Sequence, residues 1–319
     1  MKKLICNILL PVVLSLCLNG CNHEVFVKPL TVEPQAGSID WTGGEVSFNA
    51  NQPITFVDIT AFRWVNGYGM PLGNRGMQFS LHGDGSKETI ANDLCHIDMQ
   101  LARGGELTIK SGYNLYADTV YLNLDLYVIN ENVKRGMRIL PNPGFGHGEI
   151  TYDLTMWSEY ESVDTILLAQ IAGGGDEPFD YTLKKKGDIV ARRAGQFKPF
   201  DKELSDNIFG REEFTVDGVT LRDNGSWQEP QLSNEKIPYT SAVQHVDDNP
   251  LRYTEDVVVR LKPDEWYKVK AIVKGRHLGV DYSLEAISPA EGLADRTIKG
   301  VYWISTPTSY TIEIELGVK

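Results

Sequence analysis

The residue types best equipped for chemistry are scattered along this chain. Histidine occurs at His23, His82, His96, His147, His245 and His277, none at the short spacing from another that a zinc motif such as His-Glu-x-x-His requires. The densest cluster is Asp93-Leu94-Cys95-His96-Ile97-Asp98. Neighbours on a strand point to opposite faces, so an extended Cys95 and His96 cannot form a thiolate–imidazole pair, and the pattern predicts a buried structural thiol. Gly-x-Ser-x-Gly and Gly-x4-Gly-Lys-Ser/Thr are both missing. Gly144-Phe145-Gly146-His147-Gly148 has the glycines of a phosphate loop but leads into an alternating apolar segment, not into a helix whose N-terminus could hold an anion. His245-Val246-Asp247-Asp248-Asn249 offers oxygens without the glycine and closing glutamate of a calcium loop, and reads as a solvated turn. These patterns predict no catalytic residue, no metal site and no cofactor. With 43 acidic residues, two carboxylates could still meet in space as a hydrolase needs, which keeps a hydrolase on a β-sandwich scaffold as an alternative.

Aromatic residues are the better lead. Of Trp41, Trp64, Trp157, Trp227, Trp266 and Trp303, most fall in or beside strand patterns, where a core role is expected. Trp227 differs, because Asp223-Asn224-Gly225-Ser226-Trp227-Gln228-Glu229-Pro230 is a polar, turn-rich segment. An exposed indole there can stack on a sugar ring while amides and carboxylates bond its hydroxyls, so Trp227 is the first candidate ligand contact. Tyr68, within Asn66-Gly67-Tyr68-Gly69, is the second.

The formal charge of −12 repels phosphate backbones and argues against a nucleic-acid partner. The basic stretch from Lys184-Lys185-Lys186 to Arg192-Arg193 is flanked by acidic residues and reads as a solvated face or loop.

Met1-Lys2-Lys3 followed by the mostly apolar Leu4 to Leu18 reads as a secretory signal peptide. It ends in Leu18-Asn19-Gly20-Cys21, which resembles the lipobox of bacterial lipoproteins. The resemblance implies cleavage before Cys21, acylation of its thiol, and a membrane partner reached through those acyl chains, each buried CH2 contributing about 0.8 kcal/mol. Asn22 at the next position resembles lipoproteins forwarded to the outer membrane, where the chain would be lipid-anchored in either the periplasmic or the surface leaflet, only Glu24 offering an acidic residue close behind the anchor. With Cys6 and Cys17 removed and Cys21 acylated, Cys95 is left without a disulfide partner.

Past the leader the periodicity is two. Val120, Leu122, Leu124, Leu126 and Val128 alternate with polar residues, as do Ile150 to Met156, Tyr267 to Val273 and Tyr310 to Val318. Val257–Leu261, the turn Lys262-Pro263-Asp264-Glu265 and the strand from Trp266 read as a hairpin. Asp201 to Phe209 and Pro289 to Leu293 are the helical candidates. Strands without intervening helices predict an all-β fold of two antiparallel β-sandwich domains, Ig-like or transthyretin-like, with few short helices. The expected division is a signal peptide at 1–20, a lipidated tether at 21–35, an N-terminal sandwich at 36–145 and a C-terminal sandwich at 146–319. The boundary follows the glycine- and proline-rich segment from Arg135 to Gly148.

Pro34 to Asn51 looks like the opening of the Ig-like BACON domains, which implies carbohydrate or mucin binding. Val257 to Gly275, with Leu261, Pro263, Trp266 and Tyr267, is similar to the carboxy-terminal sandwich of fimbrillin-like lipoproteins. These resemblances imply a non-catalytic, fimbrillin-like envelope protein for adhesion or extracellular recognition, with a glycan or another envelope protein as partner. The alternative is a carbohydrate-binding surface lipoprotein of a glycan-uptake system.

Overall fold

A computed structural model of the chain describes residues 29–72, 76–129, 131–209, 213–223 and 228–317. The leader, Cys21 and Trp227 lie outside the described residues. Among those described there are twenty strands and one short helix, the all-β fold that the period-two patterns require.

Two sheets form the first half. One has the order β1 (Val32–Glu33), β3 (Gly44–Ala50), β9 (Leu107–Asn114), β8 (Cys95–Leu101) and β7 (Lys87–Ala91). The other runs β2 (Ala36–Ile39), β11 (Glu131–Ile139), β10 (Val120–Val128), β4 (Phe56–Val65) and β5 (Tyr68–Pro71), with β6 (Gln78–His82) pairing the start of β4. Every pair is antiparallel except β2 with β11. Alternation places Val57, Ile59 and Ala61 of β4 and Val120 to Val128 of β10 on one face, against Phe48, Ile97, Met99, Leu107 and Ile109 of the facing sheet. Each such side chain, fully withdrawn from water, contributes roughly 1.5–3 kcal/mol. The even-numbered residues of β4 and the odd-numbered residues of β10 are thereby forced outward.

The second half is organised around three long strands, β12 (Gly146–Ala172), β19 (Trp266–Ile287) and β20 (Arg296–Gly317). With β14 (Ile189–Pro199) and β17 (Gln244–Arg252) they form a sheet ordered β12-β19-β20-β14-β17. Its two ends bury opposite faces. Near the start of β19, odd residues Val269, Ala271 and Val273 pack towards β13 (Phe179–Leu183) and β18 (Val257–Leu261), a separate two-stranded sheet. Further along, even residues Leu278, Val280, Tyr282 and Leu284 are buried instead, in the cluster that includes Val216 and Val219 of the hairpin β15 (Thr215–Asp223) and β16 (Gln228–Pro238). β20 follows the change through a bulge, where Lys274 opposes Ser309 and Gly275 opposes Pro307.

Several expectations are corrected by this arrangement. Val257–Leu261 pairs with β13 and not with the strand from Trp266, so no hairpin forms there; Asp264, at φ 62°, turns the chain between two layers. Ile314 and Leu316 are about half exposed and Met156 more so, because the layers that cover the sheet stop short of the end of β20 and the β12 register shifts between Tyr152 and Trp157. His245 to Asn249 lies in β17, not in a turn. Pro289 to Leu293 is turn and bend, while the other helical candidate is α1 (Lys202–Ile208). Asp201 caps α1 by accepting from Leu204 N at 2.8 Å.

The two halves meet through buried amides around α1. Asn142 donates to Leu115 O (2.7 Å) and Asn207 O (3.3 Å) and accepts from Gly144 N (2.8 Å), while Asn207 Oδ1 accepts from Ala117 N (3.2 Å). Phe145 N donates to Ile208 O at 2.9 Å.

Candidate functional site

Tyr68 sits at the tip of the β4–β5 hairpin, where Asn66 (φ 51°) and Gly67 (φ 84°) supply the positive φ values that a tight two-residue turn demands. Its ring is 74% exposed. Next to it in the hairpin stand Trp64 opposite Gly69 and Arg63 opposite Met70. Trp64 is 51% exposed and Met70 42%; the register sets Tyr68 and Met70 on one face of the hairpin and Trp64 on the other, so the tip exposes apolar side chains on both faces. A core role for Trp64 is therefore overturned: it occupies an even position of β4, on the face that the sandwich turns away from its core. Phe62, two residues back, meets the Trp64 ring edge-on with centroids 5.4 Å apart and stacks on Tyr121 at 5.7 Å. Alternation along a strand sorts residues into two faces, but which face the protein leaves open depends on partner strands far away in sequence.

A cavity of about 470 Å3 opens beside Trp64 and Tyr121, walled by Asp118, Pro143 and Phe209. A second, of about 620 Å3, lies on the other side of Arg63 between Met70, Leu72, Asn92, Tyr116 and α1. The Arg63 guanidinium lies 4.5 Å above the Tyr116 ring, with Nη2 2.8 Å from Glu203 and Nη1 3.5 Å from Asp118. Two carboxylates thus already answer its charge, and Asp93 and Asp201 add more negative charge to the cavity wall. Such a site suits an uncharged polar guest better than an anion.

Cys95 behaves as its strand position predicts. It is buried with Ile97, while His96 faces out and pairs with Asp98 at 3.1 Å. Burial pushes the thiol up to about 11, outweighing nearby Arg63, so at neutral pH it is a protonated core group and not a nucleophile. Hydrogen bonding from Thr89 is the main cause that lowers the Asp98 carboxyl below its ordinary value.

His277 forms a grouping that sequence spacing could not reveal. Its Nε2 lies 2.6 Å from Ser162 Oγ and its Nδ1 2.7 Å from Ser305 Oγ, and the ring stacks on Tyr160 at 4.6 Å. Strands β12, β19 and β20 set Tyr160, His277 and Ser305 in one row, with Ser162 one diagonal step away, opposite Gly275. A hydroxyl stands where a nucleophile–histidine–carboxylate set has its carboxylate, so the grouping does not reproduce that set. The grouping ties three strands together. Among the described residues no cluster of three or more His, Cys, Asp or Glu side chains is arranged to hold a metal ion.

No family model matches the chain, and no curated protein matches it. Among solved structures it is similar to a lamprey immune protein, at 10% identity and TM-score 0.29, with 91% of this chain and 100% of that one covered. It is also similar to the parasporin-2 toxin of Bacillus thuringiensis that recognizes cancer cells (11% identity, TM-score 0.25, 54% of this chain and 73% of that one). An aerolysin-like protein of Bombina maxima matches at 10% identity and TM-score 0.20, over 53% of this chain and 97% of that one. Scores this low define neither a shared fold nor a shared activity.

Proposed function

We propose that this is a non-catalytic recognition protein of the bacterial envelope, held at the outer membrane by acyl chains on Cys21 and serving adhesion through its N-terminal sandwich. The exposed side chains of Trp64, Tyr68 and Met70 carry the reading. A soluble domain gains nothing in stability from holding two large aromatics and a methionine in water at one hairpin tip, and such residues are enriched where proteins bind partners. The anchor would fix the protein to one surface while this tip meets another. Cells displaying the full chain should be retained on a mucin-coated surface under flow, and Trp64→Ala with Tyr68→Ala should release most of them at equal surface abundance. Unchanged retention of the double variant would remove the hairpin tip from the account.

A second reading is favoured by the β15–β16 hairpin. Val216, Val219, Leu221, Pro230, Leu232 and Ile237 share one of its faces, while Thr215, Asp217, Thr220, Gln231 and Lys236 share the other. Its strands of 9 and 11 residues match the length that a β-strand needs to cross a bilayer. Leu232 is already 62% exposed, and Tyr152 Oη holds the hairpin by donating to Asp217 O at 2.6 Å. In this reading the hairpin leaves its sheet and inserts. Dye release from liposomes by the full chain, strongly reduced by Val219→Asp, would support it; intact liposomes at protein concentrations that saturate their surface would count against it.

A further inference from the structure

The outer face of the β2-β11-β10-β4-β6 surface repeats a chemical motif along its length. Strand pairing sets its side chains in rows. Tyr127, Phe56 and His82 form the first, Asp125, Asp58 and Ser80 the second, Asn123, Thr60 and Gln78 the third, and Tyr121 with Phe62 the fourth, beside Trp64. The end rows are ring clusters: Phe56 lies 4.9 Å from His82 and 5.3 Å from Tyr127, matching the Phe62, Tyr121 and Trp64 group at the other end. The two clusters lie six positions apart along β4 and β10, roughly 20 Å at the usual rise.

Between them the surface is polar and electrically balanced. Lys134 lies 3.8 Å from Asp125 and Ser80 donates to Asp58 at 2.7 Å, while at the end row Arg138 opposes Tyr121, so along the whole strip two cations accompany two carboxylates. Among the described residues no hydrogen bond engages the side chains of Asn123, Thr60 or Gln78. Beside Asn123 stands Gly136, above which the space is open, leaving a shallow depression in this row. At the Trp64 end the strip runs into the cavity of about 470 Å3.

We propose that this face binds an uncharged polysaccharide chain, whose C–H faces lie on the two ring clusters and whose hydroxyls bond Asn123, Thr60 and Gln78 between them. The balance of charge argues against an anionic polymer, and free amides between separated rings suit a repeating polyhydroxyl ligand better than an apolar protein surface. The proposal deepens the recognition reading and rests on it; it shares Trp64 with the hairpin tip, while Tyr127, Asn123, Thr60 and Gln78 lie outside that tip.

The test is affinity electrophoresis of the full-length chain in gels cast with neutral glucans, mannans or galactans, with alginate as the anionic comparison. At least one neutral polymer should retard the protein and alginate should not. Tyr127→Ala should weaken the retardation about 10-fold and Asn123→Ala about 5-fold, with Met156→Ala, at an exposed position of β12, left as native. Oligosaccharides of the active polymer should bind more tightly as they lengthen, until both ring clusters are spanned. No retardation by any neutral polymer, equal retardation by alginate, or native behaviour of the Tyr127 and Asn123 variants with folded circular-dichroism spectra would overturn the proposal. If cells displaying the chain nonetheless adhere through Trp64 and Tyr68, the recognition reading survives and the glycan strip alone falls.

Discussion

Burial gives Cys95 a measurable signature. Its thiol titrates at about 11 when folded against an ordinary 9.0, so the unfolded chain loses its proton first as pH rises. The contribution to stability is therefore complete below about 9 and declines between about 9 and 11. Urea denaturation across that interval should show a loss of stability that Cys95→Ala, itself less stable at neutral pH, no longer adds. The same alkaline slope in both proteins would contradict the assignment. Asn142 makes a second test at this scale. Replacing it with alanine leaves Leu115 O and Gly144 N without their partners at the junction of the two halves, at a cost of roughly 2–4 kcal/mol by equilibrium unfolding. A change within a few tenths of a kcal/mol would mean that water restores both bonds.

At the scale of elements, turns and registers decide what the side chains can do. Gly105 turns β8 into β9 at φ 82°, and a Cβ there would come within 2.5 Å of the backbone at Pro53 and Ile54. Gly105→Ala should destabilise the N-terminal sandwich by roughly 1–3 kcal/mol, read as a lower unfolding midpoint; a native midpoint would show that the turn and its neighbour can separate freely. Much of the sandwich was legible because strands such as β10 are buried on one face along their full length, and an unbroken alternation from Val120 to Val128 can mean little else. Cys95 was readable for the same reason. β12 was not, because its bulges shift the parity of a 27-residue strand and the polar stretch around Glu159 to Asp164 is covered by no second layer. The supposed hairpin at Pro263 failed because turn chemistry marks a reversal of direction without saying whether the strands on each side pair edge to edge or stack as layers. Tyr68 was found through its Asn-Gly turn. Trp64 and Tyr127 were missed, since local sequence cannot say which side of a sheet will be left uncovered.

For the whole molecule, the account joins an anchor at one end of the sequence to a binding surface on the first sandwich and leaves the long sheet as the body that follows it. The net charge of −12 repels anionic lipid, so in the proposed arrangement attachment would rest on acyl chains at Cys21. The long sheet also exposes apolar residues, with Met156, Val163 and Leu167 each more than half accessible along β12, and these supply the comparison surface. The most direct test sets the two surfaces against each other. Retention under flow should be compared for cells carrying alanine at Trp64, Tyr68 and Met70 and for cells carrying alanine at Met156, Val163 and Leu167, with equal amounts of protein on the surface. The account predicts that the first set detaches and the second holds as native cells do; detachment of the second set with retention of the first would contradict it.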